Sequence, residues 1–259
     1  MAKSKNKKQA LLLAFQLLFL VIILGAVEML VRKGMINSLY IPAPTSIIQD
    51  LLKLFEGGFI WPHFYATLSE FVVGYSIAAV LGIGFGMFLL LVPWAEQFFQ
   101  PFISALMAIP KVTIVPLLAL WLGIGLTHKI TIVFLFCFFT ILVNTMTGIK
   151  QTEERHLKVA KVYEATVWQT IWKVTLPSAA PTILAGLKIS AAAGLVGALF
   201  AEMLASKAGL GNVLVKATTL FDTSQAFAIV VLVTIMSVLI ISVIDVLEKN
   251  IFLRWKNKI

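Results

Sequence analysis

The stretch ITIVFLFCFFTILVNTMTGIKQTEERHLKVAKVYEATVWQTIWKVTLP, residues 130–177, decides the fold. Ile130 to Ile149 carries no charge. That run matches the roughly 20 apolar residues a helix needs to cross the hydrocarbon layer. From Lys150 to Leu176 the character changes, with lysine, arginine and glutamate alternating with valine and tryptophan. This second part is too polar to span and too long for a tight turn. A membrane helix followed by a long amphipathic segment outside the bilayer is the reading.

Five further apolar runs predict spans: Ala10 to Val27, Phe71 to Val92, Phe98 to Gly125, Pro181 to Ser206 and Ala226 to Ile244. Lys111, Lys188 and Glu202 are the charges within these runs. Backbone bonds inside lipid must close within the segment, so the spans are helices. No alternating pattern of barrel strands is visible. Composition agrees: 60% of the 259 residues are apolar and 13% charged. A soluble domain runs nearer half apolar and a quarter charged. A soluble enzyme, a disordered chain and a disulfide scaffold are excluded. Cys137 is the one cysteine, so no intramolecular disulfide or cysteine metal cluster is possible. The expectation is an all-α polytopic membrane protein with six transmembrane helices, embedded in lipid.

The net charge of +9 reports topology, and no nucleic-acid partner is expected. Basic residues gather at Lys3, Lys5, Lys7 and Lys8, at Lys150, Arg155, Lys158, Lys161 and Lys173, and at Lys249, Arg254, Lys256 and Lys258. The opposite side has fewer: Arg32, Lys33, Lys53, Lys129, Lys207 and Lys216. Positive loops stay in the cytoplasm, so both termini are placed there. The first apolar run reads as an uncleaved helix.

After it, Pro42 and Pro44 force extended backbone. Thr45 or Ser46 is then expected to cap a short helix through Phe55, with Ile47, Leu51, Leu52 and Phe55 on its apolar face. In the 150–177 segment, Glu153 and Glu154 suit a helix N-terminus. Glu154 and Lys158 are spaced i, i+4. Val159, Val162, Tyr163 and Val167 form an apolar stripe that Trp168, Ile171 and Trp172 extend, and Leu176-Pro177 is expected to end the element. Such a face lies flat in the lipid interface or docks into a partner.

No GxxxxGK[ST], HExxH or GxSxG motif is present, so no catalytic or metal site is expected. Gly82-x-Gly84-x-Gly86 lies within a span and suits close helix contact. His63, His128 and His156 read as surface histidines. Glu28, Glu70 and Asp245 lie near span ends, within reach of water. Lys111 and Glu202 are costly inside a bilayer. Together with Pro110, Pro116 and Asn144 they are the candidates for lining a translocation pathway. Pro110 and Pro116 are expected to bend the third span.

The 150–177 segment resembles the cytoplasmic loop of binding-protein-dependent ABC importer permeases. That family carries Glu-Ala-Ala, three residues, Gly, nine residues, Ile, one residue, Leu-Pro. Here Lys158-Val159-Ala160, Glu164, Val174 and Leu176-Pro177 stand at those positions; Ala160, Leu176 and Pro177 match outright. Glu164 replaces a glycine suited to a turn with positive φ. Further segments are similar to the nitrate/sulfonate/taurine branch: Leu39 to Pro44, Ile109-Pro110, Ile114 to Gly125, Asn144-Thr145, Ala185-Gly186-Leu187, Ala201-Glu202-Met203-Leu204 and Gly209-Leu210-Gly211.

The resemblance implies a type I importer permease core with one extra N-terminal helix. It implies residues 1–59 as N-terminus, first span and external amphipathic segment, 60–250 as the permease domain, and 251–259 as a cytoplasmic tail. It implies a bacterial cytoplasmic membrane location and two separate ATPase subunits that carry ATP and Mg, this chain binding no cofactor and being no enzyme. An extracytoplasmic binding protein and a second permease copy complete the assembly. The ATPase-coupling residues would be Lys158, Val159, Ala160, Lys161, Glu164, Ala165, Trp168, Leu176 and Pro177. The solute would be a sulfonate, taurine, nitrate or vitamin precursor. A stand-alone secondary transporter using Glu202 as its ion site is the alternative.

Overall fold

The computed structural model describes residues 2–204 and 206–256. Lys258, counted above toward the basic tail, lies outside them. All regular structure among the described residues is helical. Five helices are long and apolar enough to cross a membrane: Leu11–Arg32, Ile60–Leu91, Leu126–Lys150, Val167–Leu204 and Thr223–Lys249. A sixth crossing exists if the bent pair Trp94–Ala108 and Lys111–Leu122 is one span. By contacts the chain forms two compact units, Met1–Trp61 with Val213–Leu232, and Pro62–Asn212 with Val233–Ile259.

In the first unit, α1 (Ala2–Arg32) stops where Gly34 takes φ 70°. The Met35 N–H then donates to the Leu30 carbonyl at 3.0 Å, which terminates the helix in a Schellman turn. α2 (Pro44–Phe55) begins with proline at its first position, where no N–H is needed. Its N-cap is Ala43 and makes no side-chain bond, so neither Thr45 nor Ser46 caps it. The Thr45 hydroxyl and N–H instead donate to the Glu28 carboxylate, at 2.7 and 3.0 Å. Arg32 donates to the same carboxylate at 2.5 Å. Glu28 therefore fixes the start of α2 against the end of α1. Leu54 is the buried face of α2, while Ile48 and Leu52 stay exposed.

The second unit holds α3 (Ile60–Leu91), from Pro62 onward, α4 (Pro93–Ala108), α5 (Lys111–Leu122), α6 (Leu126–Lys150), α7 (Glu154–Val162), α8 (Val167–Thr170) and α9 (Leu176–Leu204). α10 (Leu210–Thr219) and α11 (Thr223–Lys256) carry residues of both units. The expected third span is two helices bent by 92°. Pro110 restricts Ile109 to extended backbone, with ψ 125°, and the helix stops there. Pro101 and Pro116 remain inside their helices. The proline bend is thus realised at Pro110 alone, as a full break. The second span starts earlier than hydropathy suggested, so Glu70 lies well inside α3 and is buried rather than wet.

α6 against α9 is the heart of this unit. Lipid supplies no hydrophobic force between helices, so close backbone approach must hold them. A Cβ on Gly194 would fall 2.6 Å from the Cys137 sulfur, which explains both the glycine and the buried cysteine. α3 meets α6 the same way. A Cβ on Gly86 would lie 2.9 Å from Thr145 Cγ2, and one on Gly82 3.0 Å from Ile141. Gly84 has nothing within 4 Å, so the motif reading holds for two of its three glycines.

Replacing Gly86 with valine will lower stability by about 1–3 kcal/mol through overpacking. Gly84→Ala will leave it unchanged or raise it slightly, since alanine is the better helix former. Thermal unfolding of the purified chain in detergent distinguishes the two.

Candidate functional site

The segment between α6 and α9 is built from short devices, each legible in its residues. Glu153 stands at the N-cap of α7, and Glu154 in its first turn. Both suit the positive end of the helix dipole. Arg155 pairs with Glu153 and holds its carboxyl below the usual carboxylate range. Lys158 lies 3.3 Å from Glu154, one turn on, with both groups exposed.

α7 ends in a Schellman turn. The Ala165 N–H donates to the Ala160 carbonyl at 2.9 Å, and the Glu164 N–H to the Lys161 carbonyl at 3.0 Å. Glu164 takes φ 50°. The left-handed turn to which a glycine is suited is therefore made here by a residue with a Cβ. Such a residue bears roughly 1–2 kcal/mol of strain. Thr166 then opens α8 with a capping box. Its hydroxyl accepts from the Gln169 N–H at 3.3 Å, and its own N–H donates to the Gln169 side chain at 2.9 Å.

Leu176-Pro177 does not end the element. Residues Ile171–Thr175 form one π turn that runs directly into α9, with Pro177 in the first turn of that helix. Proline has no N–H for the Lys173 carbonyl, and the Leu176 N–H reaches back five residues to Ile171. The apolar stripe also divides. Ala160 and Ile171 turn inward and are buried, whereas Val159, Val162, Tyr163, Val167, Trp168 and Trp172 are exposed. Val162 and Tyr163 are each 81% exposed, more than a folded surface normally leaves bare on neighbouring apolar residues. A groove of about 620 Å³ runs beside them, lined by His156, Val159 and Tyr163 on one wall and Gln169, Lys173 and Pro177 on the other. Of the sequence candidates, Val159, Ala160, Ala165 and Pro177 border it. Lys158, Lys161 and Trp168 lie on the surrounding surface.

The pathway candidates sit in separate local settings. Pro110 caps α5 at the break. Lys111 follows, its ammonium 3.4 Å from the Phe136 carbonyl and 6.0 Å from the ring of the same residue. Asn144 bonds its own helix, at the Thr140 carbonyl, and packs on Gly186. Pro116 is embedded in α5. Glu202 is fully buried and accepts from Thr67 at 2.6 Å and from the Gly211 N–H at 2.8 Å.

Sequence reasoning missed the residues around Glu202. Lys129 pairs with Glu70 at 2.6 Å, with both side chains nearly dry. His128, expected at the surface, is fully buried. His63 accepts from the Gly209 N–H at 3.1 Å. The early start of α3 and α6 drew these groups inside; hydropathy windows cut both helices short because the groups are polar.

Residues 78–257 match the family described as binding-protein-dependent transport system inner membrane component. The chain is 27% identical over 241 residues to the putative aliphatic sulfonates transport permease protein SsuC of Bacillus subtilis (strain 168), covering 93% of this chain and 87% of that one. It is 30% identical over 216 residues to the riboflavin transport system permease protein RibX of Chloroflexus aurantiacus, covering 83% and 80%. It is 30% identical over 229 residues to the formylaminopyrimidine transport permease protein ThiX of Halalkalibacterium halodurans, covering 88% and 91%. Among solved structures, an inward-facing MetNI methionine ABC transporter chain aligns with a TM-score of 0.66 at 17% identity, over 76% of this chain and 99% of that one. That likeness is one of fold.

Glu164→Gly will stabilise the α7–α8 turn by up to about 1 kcal/mol, the relief of left-handed strain less the added freedom of the unfolded chain. Glu164→Val, a β-branched residue poorly suited to that region, will cost about 1–2 kcal/mol. Hydrogen exchange of the 160–170 amides reads both.

Proposed function

This chain belongs to the binding-protein-dependent transport system inner membrane components, and from that footing we propose how it works as the permease of an ABC importer. A separate ATPase subunit docks on the exposed faces of α7 and α8. Closure of the ATPase pushes that hairpin, and the continuous helical path from α8 through the π turn into α9 carries the displacement into the membrane. The observation that carries this reading is the bare apolar surface from Val159 to Trp172, joined without a loop to a 29-residue membrane helix. The charged rim of Lys158 and Lys161 steers an acidic counterpart.

ATP and Mg belong to the partner. A second copy of this chain supplies the other half of the pathway, and an external binding protein delivers the solute. The solute is a small organic molecule in the range spanned by the relatives: aliphatic sulfonate, taurine, riboflavin or formylaminopyrimidine. Both termini and the 150–177 segment face the cytoplasm.

Reconstitution with the cognate ATPase and binding protein tests the reading. Lys158→Glu with Lys161→Glu will lower ATP-driven uptake about tenfold or more, equivalent to at least about 1.4 kcal/mol of coupling, while the chain still inserts and folds. Uptake that survives the double reversal, or that proceeds with the ATPase left out, overturns it. Orientation is read separately: a Val162→Cys variant will react with an impermeant maleimide only after the membrane is opened, the native Cys137 being buried.

A further inference from the structure

The α9–α10 connection is held by a buried set of charges that do not balance. Glu202 ends α9, fully buried, as is Thr67 of α3. Glu70, one turn from Thr67 on α3, pairs with Lys129 of α6, with side chains 3% and 8% exposed. Thr67, which bonds Glu202 at 2.6 Å, stands one turn from Glu70, so both carboxyl groups are enclosed in the same buried cluster. The enclosed groups are thus two carboxyls and one ammonium. Fully ionised, they would leave one negative charge with no partner in a dry site, an arrangement that costs several kcal/mol. Two like charges enclosed together with a single cation disfavour ionisation of both carboxyls.

The backbone is shaped to this cluster. Residues 206–211 fold back over it as a strap. The Gly211 N–H donates to Glu202 at 2.8 Å, the Leu210 N–H to the Thr67 hydroxyl at 2.9 Å, the Gly209 N–H to His63 at 3.1 Å, and Lys129 to the Ala208 carbonyl at 3.3 Å. Gly209 has φ 123°, and any Cβ there would collide with the Glu202 carboxyl. A Cβ on Gly211 would fall 2.5 Å from the Leu199 carbonyl. The Gly209-Leu210-Gly211 sequence is what lets main chain approach a carboxyl group this closely.

The geometry points to a single proton shared between Glu70 and Glu202, which neutralises the cluster and fastens the 206–211 strap to the ends of α3 and α6. One oxygen of Glu202 accepts from Thr67 and the other from Gly211. Glu70 offers one oxygen to Lys129, and its second, Oε2, has no other partner. The proton bridges the pair there. Of the other ionisable groups on the elements packed around the cluster, His63 on α3 accepts from the Gly209 N–H and His128 on α6 from the Gly125 N–H at 3.0 Å, Lys111 of α5 faces Phe136, and Lys207 in the strap is exposed. An imidazole nitrogen that accepts a hydrogen bond carries no proton, so neither histidine in this geometry is a second cation. Folding then takes up one proton that the unfolded chain, with both carboxyls ionised, does not hold. The folding equilibrium therefore weakens about tenfold per pH unit from the ordinary carboxylate range up to the pH at which the folded chain also releases the shared proton.

Infrared spectra of the full chain in nanodiscs test this directly. At neutral pH the native protein will show the carbonyl stretch of a protonated carboxyl group. Glu202→Gln and Glu70→Gln will each abolish it, because one carboxylate and one ammonium then balance in charge without a proton. The folding equilibrium of Glu202→Gln, measured by denaturant titration across pH, will lose the tenfold-per-unit slope. Absence of the band from the native protein overturns the proposal without need of a variant. So does a band that persists unchanged in both substitutions.

Discussion

Close approach between α6 and α9 is the constraint on which the membrane unit depends. In water, two apolar faces are driven together by the solvent. In lipid that force is absent, and what remains is contact at short range and the satisfaction of polar groups. Glycine at 194 lets α9 settle against Cys137, and Asn144 fits over Gly186. α3 packs on α6 through Gly82 and Gly86 and also reaches α9, where Tyr75 donates to the Leu187 carbonyl at 2.9 Å. Once these backbones are close, there is no room for a misplaced charge. The polar groups at the α9–α10 end must then satisfy one another, as Glu70, Lys129, Thr67 and Glu202 do.

A second constraint operates outside the membrane helices, where the chain changes direction. Schellman turns close α1, α7 and α10. The first uses Gly34, but the other two place Glu164 and Phe221 in the left-handed region, at φ 50° and 56°. The hydrogen bonds that terminate the helix outweigh the strain. At Glu164 the consequence is geometric, because that turn sets how α7 and α8 present their apolar residues. Strain at such a point costs stability and fixes orientation.

Much of this was legible from residue order. Apolar runs of sufficient length located the spans, and the shift to charged and aromatic residues after Ile149 located the surface hairpin. Glu153, Glu154 and Lys158 stand where a helix start and its first ion pair should be. Other features were not legible, for physical reasons. Pro110 breaks a helix while Pro116 and Pro177 do not, since a proline only removes one donor, and neighbouring packing decides whether the chain bends or absorbs the loss. Polar residues such as Glu70, His128 and Lys129 marked span ends by hydropathy, yet they are buried: Glu70 and Lys129 pair across helices, and His128 accepts from Gly125 at the start of its own helix.

The order of amino acids by itself determined that this chain crosses a membrane in helices, where its basic segments lie and which stretch forms the exposed hairpin. Those properties follow from local periodicity and from the cost of charge in hydrocarbon. Only the tertiary structure decided that the third run is two helices, that a glutamate adopts a glycine's backbone, and that Glu202 meets Thr67 from more than a hundred positions away. These are outcomes of pairing between distant groups, and no window along the sequence contains both partners.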